Sequence, residues 1–142
     1  MQARIKWIED VRYAGDTGSG HSVIMDGPPE YGGTNTGFRP MEMLLLGLGG
    51  CAAFDVMMIL KKSRQHIEDC EVFITAERDN DGAKTFTKIN VRYELTGNKL
   101  NLMQVERAIK LSSEKYCSVS VMLSKAVNIS YDFNLNDLNL EQ

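Results

Sequence analysis

The sequence predicts an α+β fold with the element order β-β-β-α-β-β-α-α-β, and three observations lead there. Ten of the twelve glycines and all three prolines fall in the first fifty residues, so the N-terminal third is rich in turns and the rest in longer elements. The stretch from Met43 to Phe54, MLLLGLGGCAAF, is uncharged and apolar on every helical face. Between Thr85 and Thr96, apolar and polar residues alternate with the period of a strand. A length of 142 residues, with 43% apolar and 25% charged side chains, predicts one domain over residues 1–142.

The elements follow in order. Residues 1–38 read as a small antiparallel meander and a loop. Strand-like runs at Ala3 to Ile8, Val11 to Ala14 and His21 to Met25 are separated by Glu9-Asp10 and by GDTGSG. The loop at residues 26–38, DGPPEYGGTNTGF, is long enough to suggest a function. A central helix is expected over residues 39–65. Pro40 suits the first helical position, Arg39 stands at N-cap, Glu42 is the third helical residue, and Phe38 and Met43 form a hydrophobic staple. Being apolar all round, this helix should be surrounded by protein. Gly47, Gly49 and Gly50 each cost roughly 1 kcal/mol in a helix interior. Either another helix crosses closely there or the helix breaks and restarts, which would give Cys51 a thiolate-favouring helix N-terminus.

Residues 67–96 read as a β-hairpin, Glu68 to Asp79 and Thr85 to Thr96 around Asn80-Asp81-Gly82. Thr87, Ile89, Val91, Tyr93 and Leu95 make its core face. In residues 98–134 a second helix starts at the N-cap Asn101, with Gln104 following and a buried stripe of Leu102, Val105, Ile109, Ser112 and Tyr116. Ser118 caps a short third helix through Lys125, and Val127 to Phe133 forms the last strand. Residues 135–142 form a polar tail.

Charge excludes several functions. The net charge of -3 and a pI of about 5.4, with no basic cluster longer than Lys61, Lys62 and Arg64, argue against nucleic-acid binding. Met1 to Asp10 has no export pattern, and the uncharged run of the central helix falls short of the roughly 20 residues of a membrane span. A cytoplasmic protein with no membrane partner is expected. The Gly32 to Gly37 loop lacks the GK[ST] of a P-loop.

Three cysteines, Cys51, Cys70 and Cys117, have no CxxC spacing and no accompanying His or Asp motif, so no metal is expected. His21 and His66 are read as solvated or capping. In a reducing cytosol a cysteine is either a small buried apolar residue or a reactive thiol, and both readings stay open for Cys51 and Cys117. Cys70 shares a strand face with Val72 and Ile74 and is read as packing. Asp55, one turn beyond Cys51, should be paired with a cation or point to solvent.

The segment from Gly32 to Val56, GGTNTGFRPMEMLLLGLGGCAAFDV, together with EKYCSVS around Cys117, resembles the OsmC/Ohr superfamily over nearly the whole chain. The resemblance implies an intertwined homodimer with both cysteines near the subunit interface, working as a thiol peroxidase that reduces organic hydroperoxides in oxidative-stress defence. It assigns attack on the peroxide to Cys51 and resolution to Cys117, with no bound cofactor and an external dithiol, such as a lipoyl protein, as reductant. It also implies an Arg and a Glu beside the thiol. The candidates are Arg39, Arg12 and Glu42, although Met41 occupies the position at which the family's peroxidases carry their Glu. The shifted glutamate and the Met-rich central helix support one alternative, a non-catalytic dimer binding an apolar ligand; a thiol redox sensor is another.

Overall fold

A computed structural model describes residues 1–138, and the chain divides into two units, Met1–Leu46 and Gly47–Gln142. In the first unit β1 (Ala3–Glu9), β2 (Arg12–Thr17) and β3 (Ser22–Met25) form the expected antiparallel meander in the order β1-β2-β3. β2 runs past Ala14 because Gly15, Asp16 and Thr17 pair with Ile5, Arg4 and Ala3. Every residue of β1 is exposed, Trp7 and Ile5 included.

The loop after β3 is ordered by one carboxylate. Asp26, nearly fully buried, accepts hydrogen bonds from the Gly27 amide and from the amide and hydroxyl of both Thr34 and Thr36. Two turns of the loop touch at Gly33, where a Cβ would lie 1.9 Å from the Gly27 carbonyl oxygen, so only glycine fits.

Helix α1 (Pro40–Lys62) begins in the first unit and continues into the second without a break. Its start is as expected: the Glu42 carboxylate accepts from the Arg39 amide at 2.9 Å, and the Arg39 guanidinium lies 3.7 Å from it. Two expectations for its middle are corrected. No restart occurs at Cys51, and the close neighbour is a strand, since a Cβ on Gly49 would meet Ile74 at 2.9 Å while Gly47 and Gly50 face open space. Nor is every face of α1 buried. Leu48, Ala52, Val56 and Leu60 form one fully buried stripe, while Leu46, Phe54 and Met58 remain exposed.

In the second unit β4 (His66–Arg78), β5 (Phe86–Asn98) and β6 (Asn128–Asp137) form a sheet in the order β4-β5-β6, with β4 antiparallel and β6 parallel to the central β5. Ile89, Val91, Tyr93 and Leu95 are buried as expected. Thr87 is exposed and Phe86 buried instead, because the register shifts between Glu77 and Arg78. That bulge slips the alternation by one residue. The last strand reaches Asp137, because Leu135, Asn136 and Asp137 pair with Leu95, Thr96 and Gly97; residues 135–137 of the expected tail are therefore strand, and residues 139–142 lie outside the described residues.

Helix α2 (Leu102–Leu111) starts at Asn101, whose side chain accepts from the Gln104 amide at 3.1 Å. Its buried stripe is Val105, Ala108, Ile109 and Ser112, whereas Leu102 and Tyr116 are exposed. The last turn, Ser112–Tyr116, is π-helical and is closed by a bond from the Cys117 amide to the Ser112 carbonyl at 2.8 Å. The extra residue in that turn carries Tyr116 off the inward face and brings Cys117 onto it. Helix α3 (Ser118–Leu123) follows at once, and its N-cap is Cys117 rather than Ser118.

Candidate active site

The second unit brings two cysteines together from positions far apart in the sequence. Cys51 projects from the middle of α1, half-buried; Cys117, fully buried, joins the π turn to α3. Both are free thiols. Their Sγ atoms and a carboxylate oxygen of Asp55 all lie within 4.8 Å of one another. A hydrogen bond of 3.4 Å from the Ser112 hydroxyl to the Ala52 carbonyl oxygen ties the end of α2 to α1 beside this cluster.

The two sulfurs have different surroundings. Cys117 accepts the Ser120 amide at 3.4 Å, the place a serine or asparagine oxygen takes in an ordinary helix cap. Burial raises the Cys117 thiol above its ordinary titration range and the neighbouring Cys51 thiol adds to the rise, while the Ser120 hydroxyl and amide pull the other way. Cys51 is the more accessible sulfur, and it stands mid-helix. The field of a helix N-terminus fades within its first turn and so does not serve it.

Asp55 is half-buried, and its Oδ2 is buried without a hydrogen-bond partner. Side chains on a helix lean toward its N-terminus, so a residue four positions after Cys51 sets its carboxylate over that thiol. Among the described residues the Tyr93 hydroxyl is also buried without a partner. Burial, ahead of the charges of Tyr131, Cys117, Cys70 and Asp55, pushes the Tyr93 phenol far up, so it is a neutral group. Spacing in the sequence offered only Cys51 and Asp55 as one helical face; Tyr93 and Ser120 carried no signal beyond their residue type.

The charged candidates have partners of their own. Arg39 is paired with Glu42 and also donates to the Asn35 side chain at 3.1 Å, while Arg12 is paired with Glu9 and lies 3.5 Å from the Thr36 hydroxyl. All four charged groups belong to the first unit. Cys70 lies half-buried in β4 on the face of Val72 and Ile74, its thiol raised by burial and then by Asp69. His21 and His66 are exposed, and the His21 Nδ1 is 3.2 Å from the Ser19 hydroxyl.

Comparison with known proteins adds four findings. The family model described as OsmC-like protein matches residues 33–132. Protein YhfA of Escherichia coli K12 is 46% identical over 138 residues, covering 95% of this chain and 98% of its own. Among solved structures, a hypothetical protein from Aquifex aeolicus VF5 superposes with a TM-score of 0.83 at 29% identity, over 95% of each chain. An organic hydroperoxide resistance protein OsmC from Legionella pneumophila has a TM-score of 0.73 at 17% identity, over 94% of this chain and 95% of its own; that likeness is one of fold.

Proposed function

The chain belongs to the OsmC-like protein family, and on that premise we propose that it is a cytoplasmic thiol peroxidase that reduces organic hydroperoxides to alcohols. The observation that carries the reading is the pair of free thiols, 66 positions apart in sequence (117 − 51) and within 4.8 Å in space. The half-buried Cys51 is the sulfur a peroxide reaches, and the buried Cys117 is held for the second step.

The chemistry balances with these two groups. The Cys51 thiolate attacks the terminal oxygen of ROOH, the O–O bond breaks, and a proton taken up by the alkoxide gives ROH and Cys51 sulfenic acid. The Cys117 thiol then displaces hydroxide from that sulfur, forming a disulfide and water. An external dithiol, a lipoyl protein for example, reduces the disulfide and is itself oxidised. Closure requires the sulfurs to move from within 4.8 Å to about 2 Å.

The test counts thiols. Reduced protein mixed with one equivalent of cumene hydroperoxide should lose two of its three thiols; retention of all three defeats the reading. Cys51→Ser should abolish consumption of peroxide, whereas Cys117→Ser should stop after one event with a sulfenic acid that dimedone traps. Steady turnover with dihydrolipoamide marks an enzyme, and a single oxidation without turnover marks a sensor.

A further inference from the structure

The same cluster has a second capacity that redox chemistry leaves unused. We propose that Cys51, Asp55 and Cys117 form a binding site for a thiophilic divalent cation of the zinc type, with a water in the fourth position. Three observations carry it. The two sulfurs and a carboxylate oxygen already lie within 4.8 Å of one another, and a tetrahedral zinc site asks for ligand separations of about 3.5–3.8 Å. The Asp55 Oδ2 is buried and has no hydrogen-bond partner, which is costly for an anionic group and is cured by a cation. Cys51 is half-buried rather than sealed, so the cluster is reachable by an ion from solution.

The donor set chooses the metal. Two thiolates and one carboxylate suit zinc or cobalt, whereas magnesium and calcium require a shell of oxygens. Binding follows 2 RSH + RCOO⁻ + M²⁺ → M(SR)₂(OOCR)⁻ + 2 H⁺, so the metal displaces both thiol protons and leaves one net negative charge. The Cys117 sulfur then keeps the Ser120 amide as an outer hydrogen-bond donor, an arrangement that stabilises a metal-bound thiolate. The other titratable groups facing the cluster are Tyr93 of β5 and Tyr131 of β6, both acids whose protons burial retains. The cluster escapes a search for metal motifs because Cys51 and Asp55 are one helical turn apart while the third ligand comes from the far side of the π turn.

Metal occupancy commits both nucleophiles, so loading and peroxide reduction exclude each other. The test is anaerobic titration of the reduced full-length protein with Co²⁺, followed by Zn²⁺. One equivalent of cobalt should give a thiolate-to-metal charge-transfer band that zinc bleaches, with two protons released per metal. Below the thiol titrations, affinity should rise about 100-fold per pH unit. Loss of outer-sphere partners alone shifts affinity about 10–100-fold, so Asp55→Asn should cost at least about tenfold. Because Cys117 is fully buried, the control that needs no refolding is alkylation of the half-buried Cys51 in the folded wild type, which should abolish the band. Absence of the band at stoichiometric cobalt, or an unchanged affinity in Asp55→Asn, overturns the proposal. The peroxide assay on metal-free protein stands apart: thiols lost to peroxide without cobalt binding reject only the metal site, and cobalt binding without peroxide consumption rejects only the peroxidase.

Discussion

Asp26 shows how much one side chain can organise. Five donors converge on its carboxylate, and they hold its pKa far below the ordinary carboxylate value of about 3.9. The Thr34 hydroxyl is the leading cause, followed by the Thr36 amide. A group whose folded-state pKa is depressed contributes stability that is complete above its unfolded pKa and is lost as pH falls toward the folded value. The amides of Thr34 and Thr36 should therefore be protected from hydrogen exchange at pH 5 to 7 and lose protection as the pH drops below about 4. In Asp26→Asn that pH dependence should vanish, and an unaltered profile would count against the carboxylate as the organiser. At this scale the cysteines were legible because thiol chemistry belongs to residue type. The company of Asp55 was not, because helical spacing gives a shared face but says nothing of what lies across it. Glu42 was legible in its modest role, the cap that its carboxylate makes with the Arg39 amide.

Among the elements, the π-helical turn at Ser112–Tyr116 matters most to the site, since it sets the direction of Cys117. Regular α-helical phase points Tyr116 inward, and the stripe expected from sequence followed that phase. One inserted residue turns the chain by roughly 100° and exchanges Tyr116 for Cys117. Deleting Glu114, an exposed residue of the turn, should restore the regular phase and swing Cys117 out of the cluster. We expect the deletion variant to stay folded by circular dichroism yet form no Cys51–Cys117 disulfide with peroxide; disulfide formation at the wild-type rate would show that the turn is dispensable. Asn101 caps α2 in a simpler way, and Asn101→Ala should cost about 1 kcal/mol in denaturant unfolding. At Gly97 in β5, a Cβ would sit 2.1 Å from the His66 carbonyl oxygen, so Gly97→Ala should lower stability by about 2–3 kcal/mol through forced separation of β4 and β5. Strand existence, the hairpin and the Asn101 cap were all readable, because alternation and capping are local signals. The π turn, the bulge at Thr87 and the parallel partner of β5 were not, since each is fixed by pairing and packing with distant residues.

The whole molecule poses the question of what covers α1. Its buried stripe of Leu48, Ala52, Val56 and Leu60 accounts for one side, yet Phe54 is 67% exposed and Leu46 55% exposed on a helix whose most apolar window has a mean hydropathy of 2.1. Such a helix is long and apolar enough, by length and composition, to cross a membrane. The first unit likewise leaves Ile5 and Trp7 of β1 uncovered. Exposed apolar surface of this kind marks an interface, and Gly47 and Gly50, with open space where a Cβ would stand, would let another backbone approach closely. A second copy is the partner we propose, consistent with the dimer that the family resemblance implies. Light scattering in detergent-free buffer should give twice the chain mass of 15.9 kDa. Phe54→Glu should shift the protein to monomer, because a desolvated carboxylate at the centre of an apolar contact costs several kcal/mol. Should the wild type run as a monomer, or stay in solution only with detergent, the second copy is the wrong cover for this helix.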